Sequence, residues 1–184
     1  RPCFLKETQI KRNIEKINRA FVCFGGADSL NLSLTAVTAL LKFKEFNEIH
    51  VVLGGAYKHN EIVELSKQHF TKLFLHKNLS EEKLLQTMKL CNFAIAPAST
   101  ICYELCCVKM PILSGYFVDN QKFIYKGFSK EGAIYAGGDF LNYSVKEFEN
   151  QIINILETND YNPDTINQSR LFDNEIKSRF LKLI

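Results

Sequence analysis

Short apolar runs alternate along the chain with longer segments whose apolar residues recur at every third or fourth position. Such runs are typical of buried parallel strands, and the longer segments indicate helices that cover a sheet. Six strands are predicted, over residues 20–24, 49–53, 72–76, 92–96, 111–113 and 133–136. Helices are predicted between them and after the last strand, and the final helix is expected over about 163–180. This alternation predicts an α/β fold, a Rossmann-like parallel sheet with helices on both faces.

The chain shows no linker, low-complexity tract or internal repeat that would divide it. Its 184 residues are therefore predicted to form a single domain over 1–184. Residues 1–18 are polar with scattered apolar positions, and we expect them to form a connecting segment and helix that lead into the first strand. Ser80 before two acids predicts one helix start, and Ser144 with Glu147 three residues later predicts a capping box at another.

Small and polar residues directly follow several of the predicted strands. Gly25-Gly26-Ala27-Asp28 follows the first strand, Gly54-Gly55 the second, Asn78 the third and Ser99-Thr100 the fourth. Ligands of open parallel sheets bind outside the carboxyl ends of the strands, so we expect these loops to line one edge together. Glycines without a Cβ allow a diphosphate to approach the backbone, although a glycine pair after a strand is also simply a turn.

The stretch over residues 96–105 is the one around which the other motifs are arranged, because a strand ends there and a helix begins. The first N–H groups of a helix have no partner within it and carry partial positive charge, so they attract phosphate. Ser99 and Thr100 stand at this start, and Glu104 lies about one turn further on, near enough to accept hydrogen bonds from sugar hydroxyls. Its neighbour Tyr103 is expected to be buried. The pattern predicts a sugar-nucleotide site, and the simpler alternatives are a helix cap and an exposed helix acid.

Two further positions lie near the same edge of the predicted sheet. Asn120-Gln121 opens a helix after the fifth strand, which indicates either an N-cap or a pair of amides that reach the sugar of a ligand. His76 ends the third strand, but a lone histidine is more often structural than catalytic. No Ser-His-Asp or Cys-His arrangement and no paired-carboxylate motif can be recognised from the spacing.

Composition and charge exclude several classes of protein. Apolar residues make up 46% of the chain and charged residues 23%, which indicates a folded protein rather than a disordered one. The net charge of +3 is mild and its lysines and arginines are spread among acids, so we expect no nucleic-acid partner. The sequence contains no run of about 18 apolar residues, and no membrane span is expected.

The cysteines favour a reduced environment. There are six of them, and none forms a CxxC pair or stands at zinc-ligand spacing from other Cys or His residues. We therefore interpret them as small buried residues of a cytoplasmic protein, and we expect neither a metal ion nor another cofactor.

A series of motifs, taken in order, is similar to one known family. The motifs are Phe24-Gly25-Gly26-Ala27-Asp28 with Asn31-Leu32-Ser33-Leu34, His50-Val51-Val52-Leu53-Gly54, Ala98-Ser99-Thr100 with Tyr103-Glu104-Leu105, and Asp119-Asn120-Gln121. In order and spacing, over about residues 1–180, they resemble the UDP-sugar hydrolases of pseudaminic acid biosynthesis. That family acts on UDP-2,4-diacetamido-2,4,6-trideoxy-β-L-altropyranose and is related to the MurG-like GT-B glycosyltransferases.

The resemblance implies a role for each matching residue. It implies nucleotide contacts at Gly25, Gly26, Asp28, Asn78, Leu79, Ser99, Thr100, Glu104 and Gln121. In that set, the glycines and hydroxyls hold the diphosphate, Glu104 binds the ribose, and Asn78-Leu79 lies near the base. Asn120 would reach toward the sugar and the cleaved bond as a supporting catalytic residue. The chain departs from the family at Ala96-Pro97-Ala98, where glycines are common, and at Cys106-Cys107.

The resemblance further implies a two-domain enzyme of which this chain is the C-terminal, nucleotide-binding half of a GT-B-like fold. The family's glycine-rich loop that ends in the proposed catalytic histidine has no counterpart here. We therefore expect the main catalytic residue to lie in an N-terminal half that precedes Arg1, and this chain alone to be inactive. The partners expected are a UDP-sugar and that N-terminal half.

Three functions remain open at this point. The chain is the UDP-binding half of such a hydrolase, the donor-binding half of a GT-B glycosyltransferase, or a non-catalytic binding or interaction domain, of which a nucleotide-sugar-binding module is one form. The first two share the residues that bind the donor, so this sequence barely separates them. A glycine-rich loop ending in histidine upstream would favour the hydrolase, and failure to bind any UDP compound would favour the third.

Overall fold

The computed structural model describes residues 1–173 and residue 175. Its strands are β1 (Arg19–Val22), β2 (Glu48–Leu53), β3 (Leu73–Lys77), β4 (Phe93–Pro97), β5 (Ile112–Tyr116) and β6 (Tyr135–Asp139). They pair in parallel in one sheet, in the order β3-β2-β1-β4-β5-β6. The order reverses where β1 meets β4, so the loops after these two central strands leave the sheet side by side.

Helices connect these strands. They are α1 (Pro2–Leu5), α2 (Leu32–Leu40), α3 (Glu61–Gln68), α4 (Glu81–Leu90), α5 (Thr100–Cys107), α6 (Asp119–Lys130), α7 (Val145–Thr158) and α8 (Asn162–Leu171). Two short 3-10 helices occupy Lys6–Gln9 and Phe140–Asn142. Within the described ranges, no helix combines the length and apolar content that crossing a bilayer requires.

The core is divided in two by the sheet, because successive side chains of a strand face opposite sides. Val22 and Ile95 pack in one half of the core with residues of α2, α3 and α7. Phe21 and Ala94 pack in the other half with residues of α4, α5 and α6. Both faces are therefore covered, which explains why β4 is apolar and buried along its whole length.

Two predicted helix starts are confirmed by their caps. The Ser80 hydroxyl accepts a hydrogen bond from the Lys83 N–H at 3.3 Å at the start of α4. At the start of α7, Ser144 and Glu147 form the reciprocal capping box, and the Glu147 carboxylate accepts from the Ser144 N–H at 2.9 Å. Such caps satisfy amides that have no partner within the helix.

Some predicted boundaries are corrected. The sixth strand was expected over 133–136, but β6 runs from Tyr135 to Asp139 and includes Gly137 and Gly138. Glycine is required at position 137 because the Phe140 ring packs where a side chain would lie, 2.5 Å from the Cβ position. The fifth strand likewise continues beyond residue 113 to Tyr116. The final helix ends at Leu171 rather than continuing to about 180, since residues 172, 173 and 175 are not helical, and the remaining positions of its predicted span lie outside the described residues.

The segment before β1 is more than a connector. Phe4 of α1 is 1% exposed and packs in the same half of the core as α4 and α5. This anchor holds the first residues against the two helices that flank the carboxyl edge of the sheet.

Candidate functional site

A cavity of about 330 Å³ opens at the carboxyl edge of the sheet, where the strand order reverses. It brings together seven residues that the sequence analysis selected: Gly25, Gly26, Asn78, Leu79, Ser99, Thr100 and Glu104. Its wall also contains Arg1, Cys23 and the Gly54-Gly55 loop. The loops after four strands therefore meet in one place, as the parallel topology requires.

The two glycine loops touch through their backbones. A Cβ on Gly54 would lie 2.3 Å from the Gly26 carbonyl oxygen, so only glycine fits there without displacing the loop. The Ala56 N–H donates to the same carbonyl at 3.1 Å. Gly25 has φ +90°, and added Cβ atoms on Gly25 and Gly26 would meet nothing within 4 Å. The first glycine loop is thus held from behind by the second and presents open backbone to the cavity.

Asp28 is used within the protein. Its side-chain oxygens accept hydrogen bonds from the Leu32 and Ser33 N–H groups, each at 2.9 Å, and it is 5% exposed. It does not line the cavity. The predicted nucleotide contact at Asp28 therefore has no support in this geometry, because the carboxylate caps the start of α2 and fixes the glycine loop instead.

The start of α5 differs from the capped starts of α4 and α7. Ser99 is the N-cap residue, but its side chain accepts no hydrogen bond from the first turn. Ser99 is half-buried and Thr100 exposed, and both line the cavity. The Ala98 N–H is fixed by the Gly115 carbonyl at 2.8 Å, which sets the direction in which α5 begins. The amides of the first turn lack a side-chain cap and are suited to an anion.

Glu104 is a buried acid facing this cavity. It is 3% exposed, and neither of its carboxylate oxygens has a hydrogen-bond partner. Burial raises the pKa of its carboxyl group, and the charge of Arg1 opposes that shift. Buried carboxylate oxygens without donors are costly, so a ligand with two hydroxyl donors would complete the site. Tyr103, which was expected to be buried, is 43% exposed, because α5 turns this side chain outward.

Arg1 supplies the positive charge nearest to that acid. Its Nε lies 3.0 Å from Glu104 Oε1 and 3.9 Å from Glu81 Oε1 on α4. The contact with Glu104 is an ion pair without the alignment of a hydrogen bond, which is why the carboxylate remains unsatisfied. Arg1 is not among the site residues predicted from the sequence. The one signal available was Glu104 itself, since a buried acid needs a nearby cation.

The loop after β3 closes another side of the cavity. Asn78 has φ +55°, a conformation that Asn tolerates better than most residues, and it is exposed. Its Oδ1 would lie 3.5 Å from a Cβ on Gly55. Leu79 is half-buried beside it and lines the same cavity.

Asn120 and Gln121 do not line the cavity. Gln121 is 8% exposed, and its Oε1 accepts a hydrogen bond from the Phe117 N–H at 3.0 Å. That side chain therefore shapes the turn into α6. Asn120 is exposed in the first turn of α6. Their predicted contacts with the ligand remain predictions.

His76 belongs to a separate network on the sheet. Its Nε2 lies 3.0 Å from His50 Nδ1, and His50 Nε2 lies 3.0 Å from a Glu48 carboxylate oxygen. Burial and the neighbouring His50 lower the pKa of His76, and the hydrogen bond with His50 lowers the pKa of Glu48. This arrangement supports the structural interpretation of His76.

The described cysteines are all free thiols. Cys23 borders the cavity, but burial raises its pKa to about 11, so it is a thiol rather than a nucleophilic thiolate at neutral pH. Burial also raises the pKa of Cys91 to about 12. Across the part of the chain that the structure describes, no three His, Cys, Asp or Glu side chains are grouped to hold a metal ion.

Comparison with known proteins establishes the fold. No family model and no curated protein matches the chain. Among solved structures, the glycosyltransferase of kitacinnamycin has a TM-score of 0.61 at 14% identity, over 92% of this chain and 41% of that one. Spinosyn forosaminyltransferase SpnP has a TM-score of 0.60 at 13% identity, over 92% and 44%. WaaG, a glycosyltransferase involved in lipopolysaccharide biosynthesis, has 0.57 at 12% identity, over 96% and 46%.

These likenesses are to structures of low identity and therefore concern the fold alone. They confirm the predicted fold class, a Rossmann-like parallel sheet that matches domains of GT-B glycosyltransferases. The chain spans less than half of the length of each of these three proteins.

Proposed function

We propose that this chain is the UDP-binding half of a hydrolase that releases UDP from a nucleotide sugar, namely UDP-2,4-diacetamido-2,4,6-trideoxy-β-L-altropyranose. One observation carries the proposal. A single cavity combines an uncapped helix start, open glycine backbone and a buried carboxylate whose two oxygens lack donors. Phosphate complements the first two groups, and a ribose diol complements the third.

The proposed chemistry requires charge stabilisation on the departing diphosphate. The first amides of α5 and the backbone of Gly25-Gly26 are fixed in position before a ligand arrives, so they stabilise that charge without reorganising. Glu104 accepts hydrogen bonds from both ribose hydroxyls, and Asn78-Leu79 lies toward the base. The group that activates water belongs, in this proposal, to an N-terminal half, and Asn120 acts at the sugar in a supporting role.

The second candidate is the donor-binding half of a glycosyltransferase. It is favoured by the likeness of the fold to several glycosyltransferases. In that reaction an acceptor hydroxyl replaces water, and the same groups bind the donor. UDP release by the intact protein from the altropyranose substrate without an acceptor supports the hydrolase, whereas release only with an acceptor supports the transferase.

Titration calorimetry with UDP, UMP and uridine tests the binding function on this chain directly. The proposal predicts that UDP binds more tightly than UMP and that uridine binds most weakly, since each phosphate adds contacts with the α5 amides and the glycine backbone. Equal affinity for uridine and UDP would contradict the diphosphate role. If the chain binds none of the three ligands, the data would instead favour the third function, a non-catalytic binding or interaction domain.

A further inference from the structure

Arg1 lies at the wall of the cavity because the segment before β1 packs against α4 and α5. α1 lies before β1 in the sequence, yet Phe4 anchors it among residues of α4 and α5. The Arg1 guanidinium lies 6.0 Å from the centre of the Phe4 ring and forms ion pairs with Glu81 and Glu104. Its side chain remains 38% exposed and borders the cavity. The segment thus carries a cation to the wall of a site formed by the loops of the sheet.

The surroundings of Glu104 make this cation necessary. Among the residues that the structure describes, the other titratable side chains that act on its carboxylate are Glu81, Cys23 and Cys107, and none of them is a cation. A carboxylate that is 3% exposed and lacks hydrogen bonds favours its neutral form. A protonated carboxyl group donates one hydrogen bond and cannot accept equally from two hydroxyls.

We propose that Arg1 is a positioning residue, which holds Glu104 ionised and in place so that the carboxylate accepts both hydroxyls of a bound ribose. This inference rests on the proposed nucleotide-binding function. Arg1 acts through Glu104 rather than on the ligand, because its Nε already lies against Oε1 in the free protein. The pairing leaves both oxygens without a hydrogen-bond donor, so the diol supplies the donors that Arg1 does not.

The test compares Arg1→Met with Lys6→Met, which removes the same charge from an exposed residue of the same segment that does not line the cavity. The first readout needs no ligand: the pKa of Glu104 from the pH dependence of its side-chain ¹³C resonance, assigned with Glu104→Gln. We expect Arg1→Met to raise this pKa relative to the wild type, and Lys6→Met to leave it unchanged. Arg1→Lys keeps the charge and should keep most of the effect, which guards against a general loss of folding.

The second readout is a double-mutant cycle on UDP affinity near pH 6. Arg1→Met should weaken UDP binding by roughly tenfold, a loss of about one charge-assisted hydrogen bond. In the Glu104→Gln background the same change should have less than about a twofold effect, because the two residues act as a unit. The UDP phosphate titrates in the same way with every variant, so differences in UDP affinity between variants reflect changes in the protein.

The possible results distinguish a failure of the Arg1 role from a failure of the proposed nucleotide-binding function. Two results would overturn only the role of Arg1 and not the proposed function. The first is an unchanged Glu104 pKa in Arg1→Met, and the second is an equal loss of UDP affinity in the wild-type and Glu104→Gln backgrounds. The second of these results would mean that Arg1 contacts the diphosphate directly. Absence of UDP binding by the wild-type chain would overturn the proposed function, and with it any role at a ribose.

Discussion

At the scale of single residues, the site depends most on Glu104. Glu104→Gln keeps the volume and one acceptor oxygen but loses the charge, so it should weaken UDP binding by roughly tenfold while the fold survives. The loss should be smaller for 2′,3′-dideoxy-UDP, which has no diol. Calorimetry with both ligands measures this, and Glu82→Gln, an exposed acid on α4, serves as control. An equal loss for both ligands, or an unfolded variant, would make Glu104 a structural acid.

Gly26 and Gly54, whose backbones touch, allow effects on stability and on ligand binding to be measured separately. Gly54→Ala places its Cβ 2.3 Å from the Gly26 carbonyl oxygen and should lower the free energy of unfolding by about 1–3 kcal/mol. Gly26→Ala meets nothing within 4 Å and should leave stability within about 0.5 kcal/mol, yet weaken UDP binding by occupying space beside the diphosphate. Urea unfolding and calorimetry on both variants check this. Wild-type affinity in a folded Gly26→Ala would show that no ligand approaches this backbone.

At the scale of elements, a buried glutamine joins α8 to the sheet. Gln168 is fully buried, and its Nε2 donates to the Met110 and Ala133 carbonyls at 2.7 and 2.9 Å. Gln168→Leu leaves two buried carbonyls without a donor and should lower the free energy of unfolding by about 2–4 kcal/mol. The exposed Ser169→Ala should change it by no more than about 0.5 kcal/mol. Urea unfolding curves that coincide for the two variants would contradict this assignment.

Elements were predictable where one local signal decides them. The apolar run of β4 and the serine caps of α4 and α7 each depend on neighbours in the sequence, so they were recognised correctly. The sixth strand was predicted to end at residue 136, before Gly137, because the reason for glycine there is the ring of Phe140, which no local pattern indicates. Four loops of the site followed from the topology alone, since parallel strands end at one edge. The role of Arg1 did not follow from the sequence, because Arg1 and Glu104 lie far apart in it and no local pattern indicates their contact.

At the scale of the whole molecule, the chain spans less than half of the glycosyltransferases that it resembles in fold. We predict that the purified chain does not release UDP from the altropyranose substrate at a rate near those of intact enzymes, because the group that activates water lies elsewhere in this account. A coupled assay for free UDP measures this. Release at an enzyme-like rate would place the complete catalytic machinery within these residues.

The central claim is that the cavity at the reversal of strand order is the nucleotide site. Titration of the ¹⁵N-labelled chain with UDP, followed by NMR, tests it most directly. The account predicts saturable shifts that are largest at the amides of Gly25, Gly26 and Thr100 and in the loop at residues 54–55. It predicts no comparable shifts in the groove between Lys11 and Arg170 on another part of the surface. Shifts confined to that groove, or no saturable shifts at all, would contradict the account.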